Sequence, residues 1–324
     1  MNREELTSLR VVVIAGGWSE ERDVSLDSAR EVRMALAEAG FSHVDQLDLA
    51  APDLVEKLLA GHYDVALPVL HGRYGEDGCA QGLLEVLHLP YAFSGVTASA
   101  VGTEKDVTKA VYAAHGIRAP RGVAVASGTE LTDEQVSALV AELGLPLFVK
   151  PAANGSSFGV SRVTDAGLIN RAIADAGDDA GSILIEECVE GTEISVPVIG
   201  NEDAQALPIV EIVTGAEFYD ATVKYEPSAL HHVIPARLSP EVTARAQELA
   251  VAAHRALGCR GCSRSDFIVT ASGEPVILET NTIPGMTAES LLPDAARHAG
   301  ITFPELCTRF VEWALEGTST EKSS

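Results

Sequence analysis

Cys262-Ser-Arg264-Ser-Asp266-Phe-Ile-Val-Thr270 and Pro275-Val-Ile-Leu-Glu279-Thr-Asn281-Thr-Ile-Pro284-Gly285-Met-Thr287 flank the turn pair Ser272-Gly273. The apolar runs Phe267–Val269 and Pro275–Leu278 predict two buried strands joined as a hairpin. Each strand carries groups that an apolar environment rejects: Arg264 and Asp266 on one, Glu279 and Asn281 on the other. A buried carboxylate is costly unless a cation compensates it. Asp, Glu and Asn together are hard oxygen donors, a set that suits Mg²⁺ bridging the phosphates of a bound nucleotide. The same residues also permit a plainer arrangement, in which Arg264 pairs with Asp266 or Glu279 and the hairpin is only structural. The choice rests on the rest of the chain.

Upstream of the hairpin, Ser239-Pro240 caps an expected helix that ends at Leu257 before Gly258, with Val242, Ala246, Leu249, Ala253 and Leu257 on its buried face. Pro208–Val213 reads as a strand. Gly215–Ala236 has little periodicity, and a stretch of that length inside a compact domain is usually a functional loop. Farther back, Thr103–His115 is an expected helix and Gly122–Ala126 a strand. Thr132 and Gln135 form a capping box for a helix to Leu143. The strand Pro146–Lys150 runs into the small-residue loop Asn154–Gly159, followed by a strand to Val163, a helix over Asp165–Ala176 and a strand Ser182–Glu187. At the start, Leu9–Ala15 is a valine-rich apolar run of the kind found in parallel strands buried on both faces. A helix over Ser28–Ala39 and the strand, helix, strand series His43–Leu49, Pro52–Leu59, Tyr63–Leu70 continue an alternating α/β unit. After the hairpin come a last helix, Thr302–Leu315, and a small polar tail from Gly317 that should be disordered. The expected units are residues 1–93, 94–186 and 187–324. No internal repeat is visible.

The 324 residues suffice for such units at ~100–150 residues each. A hydrophobic share of 46% supports sizeable cores, and no run approaches the ~20 apolar residues that a membrane span needs. The start, Met1-Asn-Arg-Glu-Glu, lacks the pattern of a secretory signal. Five scattered cysteines make no disulfide framework, and the C-x-x-C at Cys259 and Cys262 has no second pair, so buried thiols in a cytoplasmic protein are expected. The net charge of −24 argues against nucleic acid and anionic membranes as partners. It also demands that a site for nucleotide phosphates concentrate the few lysines.

Four clusters meet that demand or adjoin it. Ser19-Glu-Glu21-Arg-Asp-Val-Ser25 follows the first strand, where open α/β sheets bind ligands, although an isolated acidic stretch is more often a solvated helix start. His71-Gly-Arg-Tyr-Gly-Glu-Asp-Gly78 follows another strand, with glycines that allow close backbone approach. Lys105, Lys150 and Lys224 stand out in a lysine-poor chain, Lys150 directly before a loop whose N–H groups could cradle phosphate. Ile183-Leu-Ile-Glu186-Glu187-Cys-Val189-Glu190-Gly-Thr-Glu193 is an apolar strand entering a carboxylate-rich turn. Gly16-Gly17 does not complete G-x-G-x-x-G, so no dinucleotide site is expected.

Taken in order, the motifs Gly16-Gly17-x-Ser-x-Glu-Arg-x-Val-Ser25, His71-Gly-x-x-Gly-Glu-Asp-Gly78 and Glu279-x-Asn-Thr-x-Pro-Gly-Met-Thr287 resemble those of the D-alanine–D-alanine ligase family within the ATP-grasp superfamily. The resemblance spans Val11 to Leu315. It implies an ATP-grasp fold of α/β and α+β character, with an N-terminal open parallel-sheet α/β domain. It implies a cytoplasmic homodimer that uses ATP and two Mg²⁺ ions (or Mn²⁺) to join D-alanine to D-alanine through an acyl phosphate, for peptidoglycan synthesis. Relatives that use D-serine or D-lactate as acceptor, or serve an antibiotic pathway, are the alternative.

Carried over residue by residue, the resemblance implies that Lys105, Lys150, Ser156 and Ser157 meet phosphates, with Lys224 reaching the γ-phosphate from the long loop. Glu186, the backbone at Glu187 and Val189, and Glu193 would hold adenine and ribose, and Phe218 joins the nucleotide site. Asp266, Glu279 and Asn281 would bind the metal. Glu21 would take the first ammonium, with His71 and Val24 beside it, and would form a hydrogen-bonded triad with Ser156 and Tyr225. Arg264 and the Gly285 N–H would stabilise an oxyanion, and Ser290 and Leu291 would receive the second carboxylate. Asn154, Phe158 and Glu187 depart from what some relatives carry, at positions with no named side-chain chemistry. A neutral Tyr225 near the acceptor favours an amine over a hydroxy acid, and His231 and His232 on the same loop could supply an opposing charge.

Overall fold

A computed structural model describes residues 1–153, 159–177, 181–214 and 230–316. Strand β1 (Arg10–Ala15) pairs in parallel with β2 (His43–Asp48) on one side and β3 (Val65–Pro68) on the other. Val11–Ala15 are all buried, as a central parallel strand requires, while β2 is only half-buried at the edge. The helix after β1, α2 (Arg22–Glu38), packs Ala29, Val32, Ala35 and Leu36 into a core shared with α11 (Phe303–Glu316). The last helix of the chain therefore helps to close the first sheet. There Phe93 and Phe310 meet edge to face, with ring centroids 5.0 Å apart.

The second sheet has the order β4 (Gly122–Ala126), β7 (Ser182–Glu187), β5 (Leu147–Pro151), β6 (Ser161–Val163), antiparallel throughout. One face is covered by α7 (Asp133–Leu143) and α8 (Ile169–Asp175), whose Leu139, Leu143, Ile169 and Ile173 pack on Leu147, Val149 and Ile185. The Thr132–Gln135 capping box forms, with Gln135 N–H on Thr132 Oγ1 at 3.3 Å and Thr132 N–H on Gln135 Oε1 at 2.9 Å.

The third sheet runs β11 (Leu230–Val233), β10 (Val210–Thr214), β8 (Thr192–Ile199), β12 (Cys262–Val269), β13 (Pro275–Asn281), with β9 (Gln205–Ala206) on β8. Helix α9 (Pro240–Leu257) covers it, capped by Ser239 and closed by Gly258 in the left-handed region at φ 72°. Among the described residues no helix is long and apolar enough to cross a membrane.

Several elements differ from the sequence-based expectation. α2 begins at Arg22 and not at Ser28, because Ser25 turns its hydroxyl inward, accepting from Gly16 N–H at 2.9 Å and donating to the Val69 carbonyl. The helix expected over Thr103–His115 forms as α6 (Lys105–Ala114), and an unexpected helix, α5 (Val96–Thr103), precedes it across extended backbone at Glu104. The aperiodic stretch to Ala236 ends in a strand, β11, because residues 230–233 find the open edge of β10. The remainder of the expected loop, residues 215–229, the phosphate loop 154–158 and the tail from Gly317 lie outside the described residues.

Candidate active site

Arg264 faces Asn281 and Asp266 faces Glu279 across the β12–β13 ladder, so the four side chains leave the same face of the sheet. The register shifts immediately beyond, where Phe267 pairs with Ile277, a bulge of the kind that re-aims side chains at sites. Arg264 Nε and Nη2 grip Asp266 Oδ1 and Oδ2 at 3.0 and 2.8 Å. Ser195, on the neighbouring strand, also donates to Asp266. Lys105 Nζ lies 3.2 Å from Glu279 Oε2, and Asn281 Nδ2 sits 3.4 Å from Asp266 and 3.5 Å from Glu279. Burial, then the charges of Asp266 and Glu279, push Glu193 up to about 7 against the pull of Arg264. Such crowded negative charge favours a bound cation.

The residues fit a nucleotide-bound Mg²⁺. Among the described residues no group of three or more His, Cys, Asp and Glu forms a closed metal cage. What is present is two carboxylates and an amide, the partial oxygen shell that leaves positions for phosphate and water. The ion pair of the plainer reading, Arg264 with Asp266, is present in the same cluster. Beneath the site, on the opposite face, Thr280 Oγ1 accepts from Tyr112 Oη at 2.6 Å and lies 2.7 Å from Ser265 Oγ, a buried polar floor that fixes both strands.

The expected nucleotide residues gather around β5, β7 and α6. Lys105 N–H donates to the Ala152 carbonyl at 3.0 Å, which pins the start of α6 to the end of β5. Glu186 is buried and paired with both Lys150 and Lys109. Glu187 turns the other way, gripped by Arg121 at 2.6 Å, while its N–H donates to the Arg121 carbonyl at 2.9 Å. Val189 follows, half-buried, between β7 and β8. Ser156, Ser157, Phe218, Lys224 and Tyr225 lie outside the described residues, and with them two members of the expected triad.

The two N-terminal motifs meet at one end of the first sheet. Ser19 Oγ donates to the His71 carbonyl at 2.7 Å, and a side chain at Gly72 would strike Ser19 Cβ at 2.8 Å. Glu21 stands at the N-cap of α2 with its carboxyl beside Gly72, and Val24 lies in the first turn, half-buried. A cleft lined by Glu76, Gly102, Thr103, Lys105 and Glu279–Thr282 connects the second motif to the metal-type cluster.

The remaining motif closes onto α2. Ala288 N–H donates to Glu31, and Met286 N–H lies 3.4 Å from Ser28 Oγ. In that loop Ser290 Oγ sits 2.8 Å from Thr287 Oγ1, and a Cβ at Gly285 would meet it at 2.9 Å. Ser290 and Leu291 open α10 (Leu291–His298). His232 Nδ1 lies 3.9 Å from Asp294 on the same helix.

Sequence reasoning missed Lys109 and Ser195. Lys109 falls one helical turn after Lys105, a spacing that could have marked it. Ser195 lies on β8, a strand that the reading of residues 190–193 as a carboxylate-rich turn did not anticipate.

Comparison with known proteins gives a consistent result. The family model described as D-ala D-ala ligase C-terminus matches residues 111–312, and the one described as D-ala D-ala ligase N-terminus matches residues 45–94. A D-alanine–D-alanine ligase of Desulforamulus reducens is 43% identical over 313 residues, covering 95% of this chain and 99% of that protein. Crystal structures of the D-alanine–D-alanine ligase from Bacillus anthracis superpose with TM-scores of 0.85 and, complexed with ATP, 0.84. They are 33% and 30% identical, each comparison covering 97% of this chain and all of the other.

Proposed function

The chain belongs to the D-alanine–D-alanine ligase family, and from that membership we propose an ATP-dependent enzyme that joins two D-alanines and supplies peptidoglycan precursor synthesis. The observation that carries the chemistry is the convergence of Asp266, Glu279 and Asn281 on one sheet face beside Arg264 and Lys105. We read the chain as three units, 1–93, 94–186 and 187–324, with the nucleotide between the second and third.

Asp266, Glu279 and Asn281 would hold the Mg²⁺ of a bound nucleotide. When bound, the metal would supply neutralisation of phosphate charge. Lys105, Lys150, Lys224 and the Ser156-Ser157 loop position those phosphates, and Glu186, Glu187, Val189, Glu193 and Phe218 line the adenosine. Glu21 binds the ammonium of the first D-alanine, with Val24 and His71 shaping the pocket. The carboxylate oxygen of that first D-alanine attacks the γ-phosphorus, and ADP leaves. The amine of a second D-alanine, oriented by Ser290 and Leu291, attacks the acyl phosphate carbonyl. Arg264 and the Gly285 N–H take the charge that develops on oxygen. The carbon–oxygen bond then breaks and phosphate departs. Tyr225, joined to Ser156 and Glu21, adds no positive charge beside the incoming amine.

The reading extends to a cytoplasmic homodimer without nucleic-acid or membrane partners, and light scattering of the purified chain checks its dimeric state. Its direct test is ATP turnover with D-alanine against D-serine and D-lactate as acceptors from pH 6 to 9, with products separated. D-Alanyl-D-alanine should dominate throughout. Substantial depsipeptide at the acidic end would overturn the acceptor assignment and implicate His231 or His232.

A further inference from the structure

Glu186 carries more positive charge than it needs. Its side chain is 4% exposed, and Lys150 holds one carboxylate oxygen while Lys109 holds the other. Burial works to push Glu186 up, but the two ammonium groups overcome it and keep the carboxyl below its ordinary range. The two lysines differ in how they are held. Lys109 also donates to the Pro120 carbonyl at 2.8 Å, which fixes its ammonium between a helix and the segment entering β4. Lys150 stands on β5, just before residues 154–158.

We propose that Lys109 is a positioning residue: it remains the ion partner of Glu186 when nucleotide binds, so that Lys150 is released from that carboxylate to meet phosphate. The inference rests on the nucleotide site proposed above. The physical ground is that breaking the last ion pair of a buried carboxylate strands a charge and is strongly opposed. With Lys109 anchored, one pair always remains. Without it, phosphate must compete with Glu186 for Lys150. Adenosine has no phosphate and does not require the exchange.

The test measures binding of ATP and of adenosine to the full chain carrying Lys109→Met, Lys150→Met, Glu186→Gln or Lys109→Met with Glu186→Gln. In Lys109→Met the Kd for ATP should rise at least about tenfold, while that for adenosine changes less than about threefold. In the Glu186→Gln background the same substitution should cost ATP binding less than about twofold, since no charge is left to strand. Parallel weakening of ATP and adenosine, or an unchanged Kd for ATP, would overturn the role of Lys109. So would a tenfold cost in the Glu186→Gln background, which decides the matter if Lys109→Met alone does not fold. An unchanged Kd for ATP in Lys150→Met would instead mean that the phosphate assignment of Lys150 has failed.

Discussion

Asp266 and Glu279 oppose each other across β12 and β13 at the last regular pair before the ladder shifts register, and each has a cation against it: Arg264 on Asp266, Lys105 on Glu279. Two carboxylates on adjacent strands destabilise a sheet unless cations intervene. The cluster is arranged to tolerate charge, and that makes it sensitive to substitutions with little effect on folding.

Glu279→Gln keeps the size of the side chain and removes one charge. Turnover at saturating ATP should fall at least about a hundredfold, in the range seen when a preorganised electrostatic contact is lost. The melting temperature should move by no more than about 4 °C, corresponding to a change near 1–2 kcal/mol. A variant that unfolds, or one that keeps full activity, contradicts the metal assignment.

Arg264→Met separates two roles for the guanidinium. As an oxyanion donor it should contribute ~10²–10³ in turnover, with the Kd for ATP changed less than about threefold. Loss of ATP affinity with unchanged chemistry would make Arg264 a phosphate ligand instead.

A pH-dependent term comes from His254, fully buried between α9 and β12, with Nδ1 2.8 Å from Ser263 Oγ. Burial, and then the charge of Arg255, lower its pKa from 6.5 to about 4. The depressed value means that the unfolded chain takes up the proton first. The contribution is thus fully present above pH 6.5 and is lost as pH falls toward 4. A gap of about 2.5 pH units at roughly 1.4 kcal/mol each puts the full loss at about 3.5 kcal/mol. His254→Gln should flatten the fall in melting temperature between pH 6.5 and 4.5 by roughly 4–8 °C relative to the parent. Identical profiles would exclude His254 as the source.

What the sequence made legible was local. The hairpin, its turn and the side chains at its ends follow from alternation within one short stretch, and they reappear in register. The Ser239 and Gly258 caps were likewise readable from adjacent residues. What stayed hidden depends on distant partners. Lys109 takes its meaning from Glu186, 77 residues away, and Ser195 from Asp266, 71 residues away. The early start of α2 was obscured because Ser25 looks like a loop residue until the Val69 carbonyl receives its hydroxyl. The roles of Ser156, Ser157, Phe218, Lys224 and Tyr225 rest on the resemblance alone.

The central claim is that a D-alanine carboxylate attacks ATP directly to form an acyl phosphate, and isotopic labelling tests it most directly. D-Alanine carrying ¹⁸O in both carboxylate positions is turned over with unlabelled ATP, and the products are weighed by mass spectrometry. The account predicts one ¹⁸O in each phosphate released and one retained in the new amide carbonyl, with ADP unlabelled. Unlabelled phosphate, or label appearing in AMP, would contradict it.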